Sequence, residues 1–258
     1  MAEPLGYLQN FLLVGLRTLC ILAFWPLWDS RLVPLPIRIA SVLAIALALT
    51  PQAAPSLPPW PPSWFALSVL VLQEFGLGFC LGLAMRFLMA GIQMAGNLAA
   101  VQMGFGMVTL IDPQSQAQNA VLGDLLAKLA TLLFLLSDGH HLLLMLLARS
   151  FGELPMGATL GWSAGLGRTL VALGAGMFQV AVQLGAPILA ILFLTQVALG
   201  LVSRAIPQVQ VMLLSFPLTI ALGLLTLSLT LALAGPYLVH RFRELEQPVS
   251  LILHALKG

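Results

Sequence analysis

Apolar residues run almost unbroken along this chain, and the interruptions mark out its elements. Residues 11 to 28 read as a first helix ending at Trp25-Pro26-Leu27-Trp28-Asp29. A short connection with Arg31 and Arg38 follows, stiffened by Pro34 and Pro36. The next apolar run, Ile39 to Leu49, is short for a membrane span, which needs about 20 residues. It leads into Pro51 to Pro62, where six prolines stand beside Trp60 and Trp64. Proline breaks helices and tryptophan favours the membrane–water boundary, so this segment reads as a wet interfacial loop. The positive-inside rule then places the two arginines on the cytoplasmic side and the proline-rich loop opposite.

A long helix is predicted from Trp64 to Val101. Arg86, Gln93 and Asn97 stand seven and four residues apart, which puts them on one face at a 3.6-residue period. That face could bond to a neighbouring helix or line a channel. Gly78 and Gly82 on the same segment, and Gly174 and Gly176 later, permit close helix approach, making this a candidate subunit interface. Val121 to Leu136 reads as a further helix, with Asp124 and Lys128 in the favourable i,i+4 order for mutual neutralisation. Ser137-Asp138-Gly139 breaks it, and His140 and His141 open the next helix, which ends near Arg149. Adjacent positions on a helix point about 100° apart, which makes the two histidines poor joint metal ligands. A glycine-rich connection spans residues 151 to 167. Two long apolar segments follow, Thr169 to Ser203 and Ile206 to Val239, interrupted by Pro187 and Pro217, each of which bends or breaks its helix. Beyond Pro236 the charges alternate in sign, as on an amphipathic surface helix.

The segment Gln102 to Asn119 does not fit this oily background. Four glutamines, an asparagine, a serine and an aspartate crowd together, preceded by glycine-spaced Met103, Phe105 and Met107. Lipid cannot satisfy that much amide and backbone, so the segment must pack in protein or line a watery space. Gly104 and Gly106 supply backbone freedom, and the methionines adapt to whatever they touch. Asp112-Pro113 stiffens the turn. Met103, Gly104, Phe105, Gly106, Met107, Asp112 and Pro113 are therefore candidates for a plug that closes a passage.

Composition confirms the setting. The chain is 60% hydrophobic and 8% charged, against roughly 25% charged in soluble domains. It is an all-α integral membrane protein, with length for six or seven apolar helices and no room for a large soluble domain. The acidic opening Met1-Ala2-Glu3-Pro4 and Arg17 within the first apolar run argue that the first helix is retained and is not a signal peptide. Cys20 and Cys80 lie in apolar stretches as buried thiols. A net charge of +2 is too small to suggest a nucleic-acid partner, and none is expected. No hydrolase, metalloprotease, phosphate-loop or dithiol motif is present. Catalytic residues, a metal and a cofactor are not expected.

Several stretches together resemble the FliR family, the export-gate subunit of flagellar type III secretion, and its SctT-type injectisome counterparts. Trp25-Pro26 to Arg38 followed by the proline-rich loop has the family layout. Gln102-Met103-Gly104 through Asp112-Pro113 is similar to its Q-M-G and D-P loop, and Asp138-Gly139-His140 to its N/D-G-H turn. Leu199 to Gln208 (with Arg204, Pro207 and Gln208 at the hairpin turn) and Phe216-Pro217-Leu218 resemble its L-G-L-x-x-R-x-x-P-Q and F-P-L signatures. Asp138 departs from the neutral asparagine of many relatives.

The resemblance implies kinked helical hairpins, a FliP-like part over 1–168 followed by a FliQ-like hairpin over 169–258. It implies FliP-like and FliQ-like membrane partners, an FlhB-like component and unfolded exported polypeptides as cargo. The location implied is the bacterial inner membrane at the flagellar basal body, and segment 102–119 would plug the central passage. The competing reading is a secondary transporter with helices broken at Pro187 and Pro217.

Overall fold

A chain in lipid must satisfy its backbone donors and acceptors internally, and long apolar runs do so as helices. The computed structural model describes residues 2–29, 33–53, 63–105, 121–158, 160–161, 164–205 and 211–257. The regular elements among them are α-helices: α1 (Ala2–Ala23), α2 (Pro26–Asp29), α3 (Leu35–Ala53), α4 (Trp64–Met103), α5 (Val121–Leu136), α6 (Gly139–Glu153), α7 (Ala164–Ala205), α8 (Val211–Arg243) and α9 (Glu246–Lys257). Four are long and apolar enough to cross a membrane, and the bent pair α5 and α6 would make a fifth. With the shorter apolar stretch Tyr7–Ala23 of α1, and α5 and α6 counted as one or two, these make the six or seven apolar helices that the length allows.

Some boundaries moved. The first helix splits at Trp25, whose position before Pro26 disfavours helical backbone. The run at 39–49 grows to the 19 residues of α3 and carries Pro51 inside its last turn. Pro187 lies within α7, and Pro217 and Pro236 lie within α8, all without a break in the helix. The discontinuous helices that a transporter site needs are therefore absent at these prolines. At a rise of 1.5 Å per residue, the 40 residues of α4 and 42 of α7 measure roughly 60 Å along the axis, about twice a bilayer's hydrocarbon core.

The chain forms two compact units, one of residues 1–87, 138–174 and 242–258, the other of residues 88–137 and 175–241. In the first, α1, α3, the start of α4, α6 and α9 share a core that includes Leu13, Leu77, Leu147, Phe151 and Leu253. Helix α9 joins it through Val249, Ile252, Leu253 and Leu256, an i, i+3, i+4, i+7 stripe. The amphipathic tail thus begins at Glu246, ten residues later than Pro236 suggests. Close approach of α1 to α4 depends on glycine: a Cβ at Gly78 would stand 2.7 Å from Cys20 Cβ and 3.0 Å from Arg17 O, and one at Gly82 would strike the Phe24 ring. Overpacking of this kind costs about 1–3 kcal/mol. Gly82→Leu is therefore expected to lower the thermal stability of the chain itself, measured as its aggregation midpoint in detergent; an unchanged midpoint would mean that α1 yields freely.

In the second unit, α4 meets α5 backbone to backbone at Gly96, where a Cβ would stand 2.7 Å from both Gly123 Cα and Leu122 O. It meets α7 at Gly91, 2.6 Å by the same measure from Met177 O. These are the small-residue crossings expected where no hydrophobic force draws helices together. Cβ atoms at Gly174 and Gly176 would meet nothing within 4 Å.

Candidate functional site

The polar segment that begins at Gln102 has a fixed root. Phe105 N–H donates to Ala100 O and Gly104 N–H to Val101 O, both at 3.1 Å. This pair of bonds is a Schellman cap, which needs a left-handed residue at its penultimate position. Gly104 supplies it with φ of 93°. Met103 is fully buried, and its Cε and Cγ lie 2.5 and 2.6 Å from where a Cβ at Gly223 would be. Thr219 Oγ1 lies 3.2 Å from Met103 O, and the Phe216 ring abuts Gly104. So α8, through Phe216, Thr219 and Gly223, holds the last turn of α4. Glycine 104 serves a defined cap, and Met103 serves as an anchor. Phe105 is half-buried; Gly106, Met107, Asp112 and Pro113 lie outside the described residues.

Upstream, polar side chains tie this region together. Gln93 Nε2 donates to Asp124 Oδ1 at 3.0 Å, so the acid that spacing pairs with Lys128 instead meets α4. Asn97 Oδ1 is buried against Gly123 without a hydrogen-bond partner. Gln102 Nε2 approaches Gln196 Oε1 of α7 at 3.5 Å. Gln93 and Asn97 thus face α5 within the chain, while Arg86 is exposed in the other unit. Arg204 is exposed in the last turn of α7, where a cation complements the helix dipole. Pro207 and Gln208 lie outside the described residues.

The sequence reading missed a buried charge pair in the first unit. Arg17 Nε donates to Glu74 Oε2 at 2.7 Å, with side chains 1% and 3% exposed. Arg17 Nη1 donates to Ser150 O at 3.0 Å and Leu154 O at 2.9 Å, and its guanidinium lies 4.4 Å from the Phe151 ring centroid. Glu74 Oε1 accepts from Gly157 N–H at 3.4 Å. The last carbonyls of a helix lack intrahelical partners, so one guanidinium neutralises a carboxylate and caps α6. The available signal was a lone cation and a lone anion in otherwise apolar helices, which are tolerated when paired.

At the start of α6, Asp138 has left-handed backbone, φ 57° and ψ 24°, and makes no side-chain cap bond. Its Oδ1 lies 3.4 Å from His141 Nδ1. The rings of His140 and His141 are 4.2 Å apart between centroids at 37°. The two rings thus lie side by side even though adjacent helix positions point about 100° apart.

Apolar helices of spanning length, joined through glycine crossings and a few buried polar groups, define a polytopic α-helical membrane protein. Residues 8–245 match the model of the bacterial export proteins, family 1, and the chain belongs to that family. It is similar to the flagellar biosynthetic protein FliR of Escherichia coli K12, 32% identical over 93% of this chain and 91% of that protein. FliR of Bacillus subtilis is 33% identical, over 84% of each. The secretion system apparatus protein SsaT of Salmonella typhimurium is 28% identical over 70% of this chain and 67% of its own length.

Proposed function

We propose that this protein is a core subunit of the flagellar type III export gate, resident in the bacterial inner membrane at the basal body. The observation that carries this reading is the family match over nearly the whole chain, with FliR relatives at 32% and 33% identity. FliP-like and FliQ-like subunits complete the closed entrance, an FlhB-like component joins it, and unfolded polypeptides pass through. Residues 1–168 correspond to a FliP-like part and 169–258 to a FliQ-like hairpin. Helices about twice the thickness of the hydrocarbon core suit an assembly whose helices extend beyond the bilayer. Arg86, with Gly174 and Gly176, offers contact surface to partners, while Gly78, Gly82, Gln93 and Asn97 shape that surface by seating α1 and α5. Segment 102–119 plugs the passage, and a rigid root at Met103-Gly104 is what a plug needs in order to stay registered.

Transport of this kind asks for shape and a gate, and no bond is made or broken by the chain. Purification of the tagged chain from its own cells is expected to yield a stable complex with two smaller hydrophobic membrane proteins. A stable homo-oligomer that binds a small solute would reject the gate. Positive charge favours the cytoplasmic face, so a cysteine at Arg204 (Arg204→Cys) should be labelled by impermeant reagents from the cytoplasmic side; labelling only from the periplasm would reverse the orientation of the α7–α8 hairpin.

A further inference from the structure

Asp138, His140 and His141 carry three metal-ligating side chains within four residues, and one ligand atom from each lies within 4.8 Å of the others. We propose that they form a binding site for a single divalent transition metal of the zinc class, which pins the left-handed turn opening α6. Export-gate function neither requires nor supplies this site.

Four observations converge on it. Asp138 is the non-glycine residue with positive φ among the described residues, a conformation that aspartate tolerates better than most side chains yet that still costs free energy. An aspartate at a helix N-cap ordinarily bonds to backbone N–H groups, yet this one makes no cap bond and turns its carboxylate to His141. The two imidazoles lie ring beside ring instead of diverging. Finally, His140 Nδ1 is buried without a hydrogen-bond partner, so no hydrogen bond within the protein holds that ring in place.

The donor set selects the ion. Two imidazoles and one carboxylate suit zinc, cobalt, nickel or copper, whereas calcium and magnesium prefer oxygen ligands throughout. With metal–nitrogen and metal–oxygen bonds of about 2.0–2.2 Å, ligand atoms around a tetrahedral ion stand roughly 3.4 Å apart. Closing from 4.8 Å asks for rotation of the exposed Asp138 and His141 side chains toward the half-buried His140. Asp138 and His141 are 78% and 68% exposed, so an ion can enter from water. Three protein ligands leave a coordination position for water or for a donor from a neighbouring subunit.

The test uses the full-length protein, purified in detergent and stripped with chelator. Cobalt(II) is titrated while its visible d–d absorption is followed, and zinc is then added in competition. The comparison variants are Asp138→Asn, whose side chain removes a ligand yet tolerates the left-handed backbone, and His141→Gln on the exposed side. One cobalt should bind with the absorption of a four- or five-coordinate ion, zinc should displace it, and each variant should bind at least about tenfold more weakly. Zinc should also raise the thermal midpoint of the parent protein but not of the variants. Equal cobalt affinity in the parent and both variants would mean an adventitious ion only and would overturn the site. Should one variant elute as aggregate, the other decides the question by the same comparison.

Discussion

Replacing Arg17 with leucine should destabilise the first compact unit by about 3–5 kcal/mol, the usual loss when one partner of a buried ion pair is removed. The pair is almost wholly enclosed, at 1% and 3% exposure. The substitution leaves Glu74 buried without its cation, strips Leu154 O of its donor and leaves Ser150 O with the Leu154 N–H alone. It also empties the space over the Phe151 ring. Against a typical net stability of 5–15 kcal/mol, the chain should accumulate poorly, and its aggregation midpoint in detergent should fall by many degrees. Glu74→Gln should cost less, because the amide oxygen still accepts from Arg17 Nε. The double variant Arg17→Met/Glu74→Leu should be more stable than Arg17→Leu alone, since no charge is stranded. It should still fall short of the parent, because Leu154 O and Gly157 N–H lose their partners. A double variant as unstable as the sum of the single losses would mean that the two side chains act independently.

How far the sequence reveals this structure depends on the range of the interaction. Helix existence was legible because apolar runs and their breakers are local: the Trp25-Pro26 step and the Ser137-Asp138-Gly139 break fall where helices end, while residues 54–62 of the proline-rich loop lie outside the described residues. Pro187 and Pro217, expected to bend or break their helices, do not break them. Helices α7 and α8 continue through Pro187, Pro217 and Pro236, because packing over 33 or more residues outweighs the roughly 3 kcal/mol cost of one proline. Contacts between distant segments left no local trace. Arg17 meets Glu74 across 57 positions, and Gly96 meets Gly123 through backbone, where no side chain signals the crossing. The two interleaved compact units are hidden for the same reason. At the candidate site, the odd composition of 102–119 was visible at once. The role of Met103 was not, because the anchor depends on Thr219 and Gly223, more than a hundred residues away. Ideal helix geometry sets His140 and His141 about 100° apart and does not anticipate that their rings lie 4.2 Å from each other.

Removing residues 107 to 113 should leave the gate assembled but open. The deletion spares the anchor at Met103 and the cap bonds of Gly104 and Phe105, so α4 and α8 keep their contact. It takes away Met107, adaptable and apolar, and the stiff Asp112-Pro113 turn, the parts of the segment suited to close on themselves or around a passing chain. Export itself would be a poor reporter, since both a jammed gate and a leaking membrane lower it. The direct measurement is ion and small-solute permeability of vesicles containing equal amounts of assembled complex, parent against deletion. The deletion vesicles should leak while the parent vesicles hold their gradient. An assembled deletion complex in a membrane as tight as the parent's would contradict the plug and leave the segment as packing between subunits.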